Sequence, residues 1–490
     1  MVILGIDQST SGTKALIVDE KGKILHKETM EHKQYYPKPG WVEHDIDEIY
    51  SNVVILIKKM LEKVQPSEII GLSITNQRET IAFWDDETKK PLCHAYVWQC
   101  RRGSEICQDL SDQGYDPVIE KKTGLKLDTY FSASKIKWAI DNDEAVIDAK
   151  KRGTLRIGTI DAWLIYCLTD GQTFASDHTN ASRTMLYNLE TSDWDHELVE
   201  LFGASRSMLP QIMASNARFG FVENPQLQEI HELPIAGVIG DSQGALLGQL
   251  CFDVGMAKAT YGTGSSVMMY TGDKQVRSNN GLVTSVAWAL EDQVFYSIEG
   301  LINSSGDTLK WVKENLGLYQ EEEEVGALVH SLDSNEGVYI VPAFVGLGAP
   351  YWKPNAKASI VGLSRKSHRA HIVRAAVESM AYQVADLIHL MESDAGIAIE
   401  TLNADGGPTK NPFLMQLQAD VLQAHVRCIE KQELSVMGAV YLGGLQLGMW
   451  KDFDSLKALP MEETIYGPER SANEVKALLI GWHNAVDSVC

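Results

Sequence analysis

The sequence predicts an α/β protein with more than one domain. Three observations carry this. The chain has 490 residues, enough for two to four domains at roughly 100–200 residues each. Apolar runs of strand length alternate with longer amphipathic segments, as when strands lie beside covering helices. One device also occurs twice: a strand, a hydroxyl-rich turn and a second strand, at residues 2–18 and again at 256–271. The two copies share little sequence, so two related halves are expected rather than a short repeat.

Composition narrows the class. Hydrophobic residues make up 44% and charged residues 22%, the balance of a water-soluble globular protein. The net charge of −22 argues against general nucleic-acid or anionic-membrane binding. It leaves room for an anionic small molecule in a locally positive site. Seven cysteines without a C-x-x-C pair read as reduced thiols in a cytoplasmic protein. Cys100 and Cys107 could lie near each other, and are expected to be buried or incidental thiols rather than a metal site. The first ten residues lack a basic segment and a long apolar core, so no signal peptide is expected. No run has the length of a transmembrane helix.

The elements follow in order. Residues 2–6 form a buried strand, residues 7–14 a hydroxyl-rich turn, and residues 15–18 and 24–28 two further strands of a meander. The hydroxyls, backbone amides and single lysine of the turn suit phosphate oxygens. Residues 36–41 are a Pro-rich loop and 47–64 an amphipathic helix. Residues 69–75 are a strand leading to Arg78 and Glu79, read either as a surface ion pair or as hydrogen-bonding groups for hydroxyls. A short strand at 95–98 ends on Trp98, read either as core or as the wall of a pocket, with core the better reading of the residue type. Residues 123–135 lead into a helix bearing Trp138. Residues 159–168 form a helix with Asp161 as its cap, and 179–188 a hairpin or loop. In the second half, 256–271 and 281–299 read as strands, 302–316 as a helix, 321–324 as a solvated charge run and 337–344 as a strand. Residues 346–354 form a Gly/Pro/aromatic loop. Residues 371–391 make a long helix with one broad apolar face. A strand at 402–404 meets Asp405-Gly406-Gly407, either a plain βα turn or a nucleotide shelf. Helices follow at 412–423 and 438–447.

One stretch organises the rest. Residues 234–266 run through an apolar strand to Gly240 and Asp241, a small-residue helix, a second strand and the turn Gly262-Thr263-Gly264. A carboxylate at a strand end sits where open α/β sheets present their chemistry. Asp is also a good helix cap, and both readings apply to Asp241. The best domain break falls near residues 248–255. No P-loop, G-x-G-x-x-G or H-E-x-x-H motif occurs. A nucleotide would therefore be held by hydroxyl-rich hairpins.

Seven stretches carry a resemblance: YPKPGWVEHD (36–45), ITNQRET (74–80), VWQCRR (97–102), TNASRTMLYN (179–188), GMAKATYGTG (255–264), VPAFVGLGAPYW (341–352) and DGG followed by NPFLMQLQAD (411–420). Together they make the chain resemble the FGGY carbohydrate kinases, most closely the branch acting on glycerol. The resemblance implies two ribonuclease-H-like domains of the actin/hexokinase-type ATPase fold, residues 1–248 and 249–490, flanking a nucleotide cleft. It implies transfer of the γ-phosphoryl group of ATP, with Mg²⁺, to a hydroxyl of glycerol or a related polyol. By motif match, Asp241 is the general base and Asp7 lies near the metal. Thr10, Ser11, Gly12 and Lys14 fall in the first phosphate loop and Thr263 in the second. Gly306 and Lys310 fall on the helix beside the nucleotide, and Gly407 and Asn411 at the adenosine shelf. Arg78, Glu79, Trp98 and Tyr130 match the polyol pocket. The expected assembly is a homo-oligomer, dimer or tetramer.

The residue types suit phosphoryl transfer, which needs positioning and charge neutralisation more than covalent chemistry. Two positions depart from the pattern. Glycerol-specific members usually carry Gln after the catalytic Asp and Phe two residues after the Gly-Thr-Gly turn; here they are Ser242 and Ser266. Both changes shrink a pocket side chain, leaving room for a tetritol, pentitol or ketose. A non-catalytic member of the superfamily or an actin-like filament protein would have no use for Asp7, Asp241 and Thr263 together with a polyol pocket.

Overall fold

The computed structural model describes residues 1–353, 355–430 and 433–490. Two β-sheets organise it. The first has six strands in the order Arg218–Phe221, Pro234–Gly240, Ile69–Asn76, Val2–Gln8, Gly12–Asp19 and Ile24–Glu31. Its last three form an antiparallel meander. Ile69–Asn76 runs parallel both to Val2–Gln8 and to Pro234–Gly240. The second sheet has seven strands: Val283–Leu290, Gln293–Ile302, Ser265–Gly272, Ala257–Tyr261, Thr401–Gly406, His425–Ile429 and Glu463–Tyr466. It repeats the scheme. Ala257–Tyr261 pairs antiparallel with Ser265–Gly272, which pairs antiparallel with Gln293–Ile302. Ala257–Tyr261 is also parallel to Thr401–Gly406, and that strand to His425–Ile429. Two ribonuclease-H-like halves are thus present, each opening on a strand, a turn and a strand.

Each sheet is covered by helices that its own sequence specifies. Helix Ile46–Leu61 starts at Asp45, whose carboxylate accepts from the amides of Asp47 and Glu48, and ends on Lys58 and Lys59, which complement the helix dipole. It packs Ile49, Val53 and Leu56 on Ile6, Leu72 and Ile74. Helix Arg369–Ala395 lays Val373, Val377, Met380, Val384 and Leu387 against Ala259, Val267 and Ile298. Each fully buried side chain of this size contributes about 1.5–3 kcal/mol.

Helices Asp241–Gly248 and Leu434–Gln446 cross between the sheets, and their glycines permit the approach. A Cβ on Gly438 would lie 2.1 Å from the Gly244 carbonyl oxygen, and one on Gly248 the same distance from that of Leu434. Their larger residues, Leu246, Val436 and Val440, join Ile3 and Val18 of the first sheet and Met268 of the second in one core. Helix Leu434–Gln446 therefore returns from the second half of the chain to pack on the first sheet.

Several elements differ from the sequence reading. The first turn is only Ser9–Ser11: the strands extend through Gln8 and restart at Gly12, because the ladder pairs Asp7 with Lys14 and Gln8 with Thr13. Asp161 is not a cap. The cap position belongs to Thr159, and the Asp161 carboxylate accepts from the hydroxyls of Thr159 and Ser176. Within 179–188 the chain forms the end of helix His178–Ala181, capped by Asp177, and the strand Tyr187–Asn188. The helix expected from 302 begins at Gly306, since Gln293–Ile302 completes a strand. The long helix extends beyond 371–391 at both ends. The loop read as 346–354 ends on Pro354, outside the described residues. A helical layer comprising Ser104–Asp112, Asp116–Thr123, Ser132–Asn142 and Glu144–Arg152 was largely illegible, apart from the helix bearing Trp138.

Candidate active site

Strand Pro234–Gly240 delivers Asp241 to its C-terminal end, where helix Asp241–Gly248 begins. The cap position is Gly240, so Asp241 does not cap the helix. Its Oδ1 accepts from the Ser242 amide at 2.7 Å and lies 3.3 Å from Arg78 Nε. The side chain is 37% exposed and faces a cavity of about 960 Å³ between the sheets. Asp7, Lys14, Ser242, Lys258, Ser266, Asp405, Gly407 and Glu433 line the same cavity. A second cavity of about 1110 Å³ holds Trp98, Tyr130, Thr263 and Ser266. Thr260 and Ser266 line both, marking where the two join.

Asp7 is buried on the first strand, and burial pushes its carboxyl up to about 6. Lys14, at 3.6 Å, opposes that rise; the charges of Asp241 and Glu433 add to it. Lys14 itself is held at 2.6 Å by Glu433. Excess negative charge converging on one buried carboxyl suits a cation. Among the described residues no cluster of three or more His, Cys, Asp or Glu could hold a metal by itself.

Arg78 and Glu79 are not a surface pair. Both are buried in a ring of four charges. Arg78 grips Glu299 at 2.9 and 3.1 Å. Arg183 grips Glu299 at 2.9 Å and Glu79 at 2.6 Å. Glu79 closes the ring at 3.9 Å from Arg78 Nε. Glu299 holds both guanidinium groups, which overcome its burial and bring its carboxyl down to about 2. Glu79 has one close partner, and burial pushes it upward. Neither Arg78 nor Glu79 lines either cavity; Arg78 reaches the cleft through its contact with Asp241. Glu79 adopts a left-handed φ of 61° and Glu433 one of 65°. Such strain tends to gather at functional sites.

The two predicted phosphate turns lie on different sheets. In the first, the Ser9 amide donates to the Gly12 carbonyl at 2.9 Å. Thr10 Oγ1 accepts from Trp98 Nε1 at 3.0 Å, and Trp98 meets Tyr130 edge-on with ring centroids 5.4 Å apart. Trp98 is therefore a pocket wall as well as a packed ring. Ser11 is exposed at the tip. In the second turn, the carbonyls of Gly262 and Thr263 accept from the amides of Gly306 and Ser305, tying the turn to helix Gly306–Glu314. Gly407 is exposed on the cavity wall beside Gly406, whose φ of 100° and close approach to the Tyr261 carbonyl only glycine allows. Two predicted residues stand apart. Lys310 is 70% exposed near Glu314, and Asn411 caps helix Pro412–Leu422 by accepting from the Phe413 and Leu414 amides.

Sequence reasoning assigned no role to Arg183, Lys258, Glu299, Asp405 or Glu433. Arg183 and Lys258 lay inside quoted motifs, so an unexplained charge within an apolar or hydroxyl-rich run was the available signal. Glu299 was similarly visible as a lone carboxylate in a strand.

Two matching sheets, a carboxylate-bearing cleft and paired backbone turns define a two-lobed phosphotransferase of the actin/hexokinase-like ATPase architecture. Comparison with known proteins specifies the family. The models of the N-terminal and C-terminal domains of the FGGY family of carbohydrate kinases match residues 2–248 and 257–447. The chain is 43% identical to glycerol kinase 2 of Thermotoga maritima over 99% of this chain and 98% of that one. It is 42% identical to glycerol kinase of a Geobacillus species, with the same coverage. The structure of Plasmodium falciparum glycerol kinase with ADP superposes with a TM-score of 0.96 at 37% identity, covering 100% of this chain and 98% of that one. The chain belongs to the FGGY family of carbohydrate kinases and is an ATP-dependent carbohydrate kinase.

Proposed function

We propose that this kinase phosphorylates a terminal hydroxyl of glycerol or a closely related polyol, with Asp241 as general base. The observation that carries this is the placement of Asp241: part-exposed at a strand end, in a cleft between two phosphate-suited turns. The names of the 40–45% identical relatives support glycerol. In this reading the polyol lies against Trp98 and Tyr130, beside the Arg78–Asp241 pair. Asp241 takes the hydroxyl proton, a role worth about 10²–10⁴-fold. Thr10, Ser11, Gly12 and Lys14 hold phosphate from one lobe and Thr263 from the other. Gly306, Lys310, Gly407 and Asn411 complete the nucleotide side. Asp7 would hold Mg²⁺, which when bound neutralises phosphate charge.

Ser242 and Ser266 make this pocket more polar than the usual glycerol pattern. Their hydroxyls offer donors and acceptors to further substrate hydroxyls. Glycerol is expected to be turned over, and four- or five-carbon polyols or ketoses to be tolerated. Measuring kcat/KM for glycerol, erythritol, xylitol, dihydroxyacetone and xylulose tests the assignment. Ser242→Gln with Ser266→Phe should raise the ratio of glycerol to longer substrates about tenfold or more, since lost apolar contact of this size is worth that much. High activity on glycerol with rejection of every longer substrate would refute the tolerance. Activity on none of the panel would refute the polyol assignment.

The division into residues 1–248 and 249–490 belongs to this reading, with helix Leu434–Gln446 returning across it. Both turns can reach one nucleotide only if the lobes approach, which also excludes water. The radius of gyration from small-angle scattering should fall when polyol and a non-hydrolysable ATP analogue bind together. An unchanged radius would exclude large closure. A cytoplasmic, homo-oligomeric enzyme completes the proposal; seven free thiols suit a reducing compartment. Among the described residues no helix is long and apolar enough to cross a membrane.

A further inference from the structure

We infer that Lys258 is a further catalytic residue, its ammonium contacting and neutralising the phosphoryl group in transit. The inference rests on the reading of the cleft given above. Lys258 lies on strand Ala257–Tyr261 and is only 1% exposed. It nevertheless lines the cavity that holds Asp7, Asp241 and Asp405. Its Nζ donates to Thr260 Oγ1 at 3.1 Å and to Ser266 Oγ at 3.3 Å. Those two residues are the ones shared by both cavities. The amine therefore sits where a group passing from nucleotide to polyol must cross.

Its partners set it apart from neighbouring cations. Arg78 and Arg183 are tied to Glu299, and Lys14 to Glu433. Among the described residues Lys258 has no carboxylate within the 4.0 Å of an ion pair; both its partners are neutral hydroxyls. Burying an ammonium on such terms is costly. Burial lowers its pKa, and the more distant charges of Asp405 and Glu299 oppose that. A structural lysine gains most from a direct carboxylate, whereas one held by hydroxyls keeps a donor for an incoming anion. In the transfer, the alcohol oxygen bonds to the γ-phosphorus. The bond from that phosphorus to the bridging oxygen breaks, its electron pair leaving on ADP. Asp241 takes the alcohol proton, and Lys258 keeps its own protons throughout.

Lys258→Met removes the charge and keeps most of the volume. It should lower kcat by about 10²–10³-fold, as when one donor to a developing anion is lost. KM for nucleotide and polyol should change only a few-fold, with the unfolding midpoint retained. Lys258→Ala should regain turnover with ethylammonium and not with ethanol. This rescue, normalised to folded protein, decides the matter if the Met variant folds poorly. Met-variant turnover within a few-fold of wild type, a loss that merely tracks unfolding, or no rescue of Lys258→Ala would each overturn the inference. Failure of the base assignment looks different: Asp241→Asn would stay active while Lys258→Met did not.

Discussion

Asp241→Asn is expected to lower kcat by about 10²–10⁴-fold while leaving the unfolding midpoint and nucleotide affinity near wild type. The side chain is 37% exposed and packs into no core. Its two contacts, the Ser242 amide and Arg78 Nε, both meet Oδ1. An asparagine carbonyl can accept from the same donors, so the local fold survives. What asparagine lacks is a basic oxygen to receive the proton of the attacking hydroxyl. Steady-state kinetics, thermal unfolding and calorimetric ADP binding, done together, separate these effects. Turnover within a few-fold of wild type would mean that another group takes the proton.

Legibility followed the range of the interactions. The opening meander, the apolar runs of both sheets and the long helix depend on local alternation and period, so their cores were readable. Asp7, Asp241 and the Gly-Thr-Gly turn stood out because each interrupts or ends such a run. The charge ring was not readable: Arg78 and Glu299 lie 221 residues apart, and Glu433 lies 419 from Lys14. Nothing in a linear pattern pairs groups at such separations. Asn411 shows the opposite case, a role that local sequence does specify. A short polar side chain ahead of an apolar helix is a good cap, and the structure uses it as one. Apart from the helix bearing Trp138, the helical layer at 104–152 was missed because its other helices are short, at 8 or 9 residues, and Asp116–Thr123 and Glu144–Arg152 bury only two residues each. Periodicity over such lengths is weak.

Glu299→Ala is expected to destabilise the fold by about 3–5 kcal/mol, the cost of stranding a buried charge. For lobes of this size that corresponds to an unfolding midpoint lower by roughly 6–20 °C. The reason lies in the closed ring. Glu299, on strand Gln293–Ile302 of the second sheet, is the partner both guanidinium groups share. Without it, Arg78 and Arg183 stay buried with Glu79 alone between them. Its folded carboxyl, near 2, lies below the ordinary value of 4.5. Its contribution is therefore complete above pH 4.5 and is lost as pH falls toward about 2; the Ala variant lacks this part of the acid sensitivity. Activity should fall as well. Arg78 presents Nε to Asp241 while Glu299 holds the other edge of the same guanidinium, so a released Arg78 no longer fixes the base. Arg183→Met combined with Glu299→Met removes one charge of each sign and leaves Arg78 with Glu79 and Asp241. The double variant should be more stable than the sum of the two single losses predicts, by about 0.5–3 kcal/mol. Strictly additive losses would show that the four charges do not act as a unit, and that the contacts between sheets rest on the apolar core around Val436 and Met268 instead.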